Sequence, residues 1–184
     1  MPAGRRGLKS ALLSALILLA SAPPAASQTG AGKSSWTKFT DAGFSALFPS
    51  EPQAFTYSHP QKTRPDSYLA RSGGGFYFVA ALAHRGAERA SQPSLRELFF
   101  DAMQRDTLEH WKKGIKANFI YQKDITLGAH RGREFAVESP RYAGVLRTYL
   151  TERRFYAVAF FHYNDAPPSR EGGRFLDSFE IKEP

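Results

Sequence analysis

Two stretches of the chain are apolar at every position: FYFVAALA from Phe76 to Ala83 and FYAVAFF from Phe155 to Phe161. A strand with one wet face alternates, so unbroken apolar runs of this length predict strands covered on both faces, at the centre of a sheet. Elsewhere the pattern is mixed. Phe39, Phe44, Ala46 and Phe48 flank the break Asp41-Ala42-Gly43 and predict two short strands joined by a turn, closed by Pro49 and Pro52. Phe55–His59 and Tyr68–Arg71 read as further strands, the second turning through Ser72-Gly73-Gly74-Gly75 into Phe76–Ala83 as a hairpin.

After a polar loop the period changes. Ser94 with Glu97 three residues on is a capping-box signature, opening a helix to about Lys113 before Gly114. Phe99, Phe100, Met103, Thr107 and Trp111 fall on one stripe of that helix, with Arg96, Glu97, Arg105 and Glu109 mostly elsewhere. Four strands follow in meander: Ala117–Leu127, Arg133–Ser139, Tyr142–Glu152 and Phe155–Tyr163. Pro167 and Pro168 open a short helix through about Leu176, and Phe179–Lys182 makes a closing strand. The predicted fold is α+β in a single domain over residues 36–184, a central antiparallel sheet flanked by helices as an α/β/α sandwich.

The N-terminus follows a different grammar. Arg5, Arg6 and Lys9 precede an apolar run from Ala11 to Ala20, and Ala25 and Ser27 supply the small residues of a cleavage site. A run of ten residues is half the roughly 20 that a membrane-spanning helix needs, so residues 1–27 are expected to be a removed signal peptide and the protein not an integral membrane protein. Residues 28–35, QTGAGKSS, form a flexible leader. The expected location is the periplasm or the medium. With no cysteine there is no lipid anchor, disulfide, thiolate zinc site or thiol nucleophile. The net charge is +8, and three of the positive charges leave with the signal; together with export, this modest balance argues against a nucleic-acid partner.

Several residues mark a resemblance. Phe48-Pro49 with Pro52 close behind, Leu127-Gly128, Gly132-Arg133-Glu134, Arg147-Thr148-Tyr149-Leu150, Tyr156 and Phe175-Leu176-Asp177-Ser178-Phe179 together resemble the PsbP-like superfamily, which includes many exported bacterial proteins. The resemblance spans most of the mature chain and rests on packing and turn residues. It implies an antiparallel sheet between helices and a role in binding partners or assisting assembly, with no functional residue carried over.

Catalytic patterns are weak by comparison. The histidines, His59, His84, His110, His130 and His162, show neither HxH nor HExxH spacing, and Asp106, Glu109 and His110 read as a solvated helix face. His84 and His162 end the two central strands, which lie apart at those ends if the strands are antiparallel neighbours. Gly43-Phe44-Ser45-Ala46 lacks the second glycine of a nucleophile elbow, and Ser72-Gly73-Gly74-Gly75 precedes a strand where a phosphate loop precedes a helix. Asp165, Glu171 and Asp177 read as ordinary carboxylates around a surface helix, and the 15 Phe, 8 Tyr and 2 Trp as core. No metal and no cofactor is expected. The expected function is an exported, non-enzymatic partner-binding or assembly-accessory domain, against the alternative of a small exported hydrolase whose site no motif marks.

One charge pattern carries a sharper reading. Arg131, Arg133, Arg141, Arg147, Arg153 and Arg154 lie in or beside the meander's turns. Arg131, Arg153 and Arg154 belong to one end of the sheet and Arg141 to the other, while Arg147, mid-strand, needs an acidic partner or an open face. Solvated charge that keeps the domain soluble is the plain account. The functional one is an anion-binding end on Arg131, Arg153 and Arg154, suited to an acidic protein or an envelope polymer.

Overall fold

The structure is a computed structural model and describes residues 36–41, 43–56, 66–84, 93–165 and 170–182. The strands are β1 (Thr37–Asp41), β2 (Phe44–Phe48), β3 (Gln53–Phe55), β4 (Ser67–Ser72), β5 (Gly75–Ala83), β6 (Asn118–Leu127), β7 (His130–Glu138), β8 (Tyr142–Leu150), β9 (Arg154–Tyr163) and β10 (Glu180–Ile181). The helices are α1 (Pro93–Ile115) and α2 (Glu171–Asp177). Seven strands form one sheet in the order β3-β4-β5-β9-β8-β7-β6, every neighbouring pair antiparallel, and β1-β2-β10 form a smaller sheet.

The apolar runs at Phe76–Ala83 and Phe155–Phe161 are adjacent central strands, paired Phe78 to Ala159 and Val79 to Val158. Alternation sends their side chains to two separate cores. Phe76, Phe78, Phe155 and Phe161 face α1, packing with its Phe100 and Trp111. Tyr77, Val79, Tyr156, Val158 and Phe160 face the opposite way, where Phe44 and Phe48 of β2, Phe175 and Leu176 of α2, and Phe179 cover them. Each fully buried ring or branched side chain contributes roughly 1.5–3 kcal/mol of transfer free energy, so both faces of the sheet hold it in place.

This division departs from the single sheet expected of the sequence. The Phe39–Phe48 hairpin and the closing strand do form, but as a sheet of their own laid over the large one. The reason is area: α2 is seven residues long and cannot cover the second apolar face alone. Lesser differences concern boundaries. The long helix passes through Gly114 and stops where Lys116 takes a positive φ of 55°. The strand expected over Phe55–His59 appears earlier, at Gln53–Phe55, and positions 57–59 lie outside the described residues, as do the signal and leader segments and the Pro167-Pro168 helix start. Among the described residues no helix is long and apolar enough to cross a membrane.

Candidate functional site

Successive residues of β7 point to opposite faces, and each anchors a helix. Arg133 reaches the α1 side, donating to Asp101 at 2.6 Å, Gln104 at 2.9 Å and Asp124 at 3.3 Å, with its guanidinium 5.0 Å from the centre of the Phe100 ring. Glu134 points the other way and is buried. It accepts from Arg147 at 2.7 Å, Tyr121 at 2.9 Å and Lys123 at 2.8 Å, and Arg147 continues to Asp177 at the end of α2, 2.9 Å away. Burial would raise the Glu134 carboxyl, but hydrogen bonds from Lys123, Arg147 and Tyr121 outweigh it and hold its pKa below the usual carboxylate value. The mid-strand arginine of the sequence thus has its acidic partners. Glu134 and its arginine partner, with Arg133 on the other face, cross-link the layers of the domain.

The three arginines picked out by sequence share one end of the sheet, on different faces. Arg131 follows Arg133 onto the α1 side, where Glu97 and Asp124 engage it. Arg154 points to the small-sheet side and lies directly over Gly43, whose φ of +119° and missing Cβ leave room for the guanidinium beside the Tyr156 hydroxyl. Arg153 is exposed at the β8–β9 turn, which the Thr151 hydroxyl ties by accepting from the Arg153 and Arg154 amides at 3.2 and 2.9 Å.

Other candidates disperse. His84 and His162 fall at opposite ends of antiparallel β5 and β9: His84 donates its amide to Arg153, whereas His162 lies opposite Gly75. His110 is buried while Asp106 is exposed, and Glu109 pairs with Lys112, so these three do not form the solvated face expected of them. Glu171 accepts from the Tyr77 hydroxyl at 3.1 Å, Asp177 from Arg147, and Asp165 is exposed. Among the described residues no group of three or more His, Asp or Glu side chains could hold a metal ion.

The opposite end carries an arrangement the sequence reading passed over. Arg71 sits 5.3 Å over the Phe76 ring and Arg141 5.8 Å over the Tyr142 ring. Phe76 touches Tyr142 and Tyr163 edge-on, with centroids 5.5 and 5.2 Å away, and Tyr142 lies against Tyr163 at 5.2 Å. Arg71 lies beside one two-residue hairpin turn and Arg141 within another, and each stands beside or across from its aromatic partner, a signal readable only once the register is known.

No family model matches the chain, and no curated protein matches it. Among solved structures, the chain is similar to that of cyanobacterial PsbP (CyanoP) from Synechocystis sp. PCC 6803, at 11% identity and a TM-score of 0.49, over 86% of this chain and 99% of that one.

Proposed function

We propose that the chain is an exported, non-enzymatic domain that binds a partner or assists its assembly. The observation that carries this reading is the use made of buried charge. Glu134, Arg147 and Arg133, the charges that the large sheet holds against its faces, are engaged in holding α1 and α2 to it. Export is read from the basic start, short apolar run and small residues of 1–27. A partner that is an acidic protein or an envelope polymer would meet the Arg131, Arg153 and Arg154 end chiefly through Arg153, since Arg131 is engaged by carboxylates and Arg154 lies over Gly43.

The test is retention of the folded protein on the cell-envelope fraction of its own source at low and moderate salt. Wild type should be retained at low salt and released as salt rises, and an Arg131, Arg153, Arg154 to Ser variant should be retained less. Equal, salt-independent retention of both would remove the anion-binding end. Turnover of simple ester, phosphoester or glycoside substrates by the purified chain would overturn the non-enzymatic reading itself.

A further inference from the structure

We propose that the outer edge of β6 takes an extended, uncharged, β-branched segment of a partner protein as an eighth strand of the large sheet. This docking does not need the Arg131, Arg153 and Arg154 end to bind anything.

The two edges of the sheet are built differently. β3, on one side, is three residues long and follows Pro52, the short and proline-flanked form in which edges are blunted against further pairing. β6, on the other, is ten residues long and among the described strands pairs only with β7. Its hairpin sets the phase of the open ladder. The Gly128-Ala129 turn makes Leu127 and His130 the first hydrogen-bonded pair, so alternation sends the N–H and C=O of Lys123, Ile125 and Leu127 to β7 and those of Gln122, Asp124 and Thr126 outward. Ile120 through Asp124 are exposed in succession, whichever face they point to, and so is Thr126, so neither face of the edge is roofed.

Charge decides what fits there. Edge strands are commonly guarded by a charge that an arriving strand would have to bury. On β6 those charges are already neutralised from within the domain: Lys123 lies 2.8 Å from Glu134, and Asp124 lies 3.3 Å from Arg133 and 3.9 Å from Arg131. Ile120 and Tyr121 stay 58% and 46% exposed, although the Tyr121 hydroxyl is tied to Glu134. An arriving strand meets apolar surface and an open ladder with no uncompensated charge, so the matching segment is itself uncharged. It would set β-branched side chains opposite Tyr121 and Ile125, and hydroxyl or amide groups opposite Gln122 and Thr126.

A second copy of β6 matches less well. A two-fold pairing that keeps each face of the sheet continuous sets one residue opposite itself. Centred on Lys123 or Asp124, it brings like charges face to face. Centred on Gln122 it runs into the register shift at Ile120, and centred on Ile125 it leaves only Lys123–Leu127 to pair.

The probe is a synthetic capped peptide of alternating Val and Thr with a polyethylene glycol tail, titrated into the full chain and followed by amide hydrogen exchange. At saturation the Gln122, Asp124 and Thr126 amides should slow at least tenfold, while those of Lys123, Ile125 and Leu127, already bonded to β7, should change less than twofold. Methylating the peptide nitrogens that face β6 should weaken binding at least tenfold, and methylating the alternate ones should leave it nearly unchanged. Gln122→Pro removes an outward N–H without touching the β7 ladder and should also cost at least tenfold; Thr126→Pro makes the same test should the first variant fail to fold. Raising salt from about 50 to 500 mM should leave the affinity within twofold, because no charge is exchanged. Unchanged exchange of the three outward amides at saturating peptide overturns the proposal, as does equal binding of the two methylated peptides. Slow exchange of the same amides in the chain alone, relieved by dilution, would seat a second copy on the edge and overturn the partner assignment. Binding that weakens with salt and is lost in Arg153→Ser would belong to the arginine end, and overturns the proposal equally.

Discussion

The two ends of the large sheet each carry arginines beside hairpin turns, yet the side chains are used differently. At one end Arg131 meets Glu97 and Asp124, and Arg154 fills the space that Gly43 leaves. At the other, Arg71 and Arg141 lie over aromatic rings. Proximity to a turn therefore does not decide what an arginine packs against. What decides it is the neighbour that strand register supplies: a carboxylate on α1 or β6 in the first case, a phenyl or phenol ring in the second.

The distinction between ion-paired and ring-stacked arginines is tested most sharply at Arg147. Removing it by Arg147→Ala strips Glu134 of a 2.7 Å partner in a buried site and leaves Lys123 and Tyr121 to satisfy it. The expected cost is about 3 kcal/mol, at the low end for breaking a buried pair because two partners remain. Urea unfolding should show a lower midpoint at unchanged slope. Arg141→Ala, by contrast, should stay within about 0.5 kcal/mol of wild type. A loss below about 1 kcal/mol for Arg147→Ala would mean that Lys123 and Tyr121 satisfy the carboxylate without it, and that the ion-paired arginines are not energetically special.

Arg133 should come next. It anchors α1 through Asp101 and Gln104 and stacks on Phe100, so Arg133→Ala should cost about 2 kcal/mol, the scale of hydrogen bonds to a charged group. Hydrogen exchange should localise the effect, with faster exchange in α1 and unchanged protection in β5 and β9. Uniform loss across the sheet would show that α1 is not held separately.

How far these roles could be read from sequence depends on the distance over which the cause acts. Central strands declared themselves because Phe76–Ala83 and Phe155–Phe161 are apolar on both faces, which is local information. The helix stripe at Phe99, Phe100, Met103 and Trp111 was equally legible. The separate small sheet was not, since nothing in Phe44–Phe48 says whether it joins an edge or lies across a face. The Glu134 network escaped for the same reason. Its members come from β6, β7, β8 and α2, and even the placement of Tyr121 beside Glu134 follows a register shift between Phe119 and Tyr121 that leaves Ile120 exposed. Sequence did show that Arg147 needed an acidic partner or an open face, but not that Glu134 and Asp177 would supply the first.

Acid pH offers a smaller, graded test. Glu134 has a lowered folded-state pKa, and Glu180 is drawn down to about 2 by Lys182, Ser45 and Lys38. For a group whose folded pKa lies below its unfolded value, the stabilisation is complete above the unfolded value, 4.5, and is lost as pH falls towards the folded one. Wild type should therefore lose stability as the pH drops below 4.5, and Glu134→Gln and Glu180→Gln should each flatten that decline. High salt should erase most of the contribution of Glu180, whose side chain is 48% accessible, and spare most of the Glu134 contribution. Identical salt sensitivity of the two would place Glu134 in contact with solvent.

The smallest effect belongs to Arg131, and it is informative because Arg131 is engaged and exposed at once. Its side chain is 57% accessible although Glu97 and Asp124 both lie within ion-pair distance. Exposed pairs gain little in water and are screened by salt, so Arg131→Ala should cost about 0.2–1 kcal/mol at low ionic strength and close to nothing at 1 M salt, where screening acts within about 3 Å. Arg153→Ala, at the same end and exposed at the turn, should change stability by less than the error of the measurement at either salt. If Arg131 proved as costly as Arg133, its contact with Glu97 would be a second anchor for α1, and the end would lose one of the charges proposed to meet a partner. If Arg131 and Arg153 were indistinguishable at low salt, the carboxylates would not hold Arg131 at all, and both side chains would be equally available to an anion.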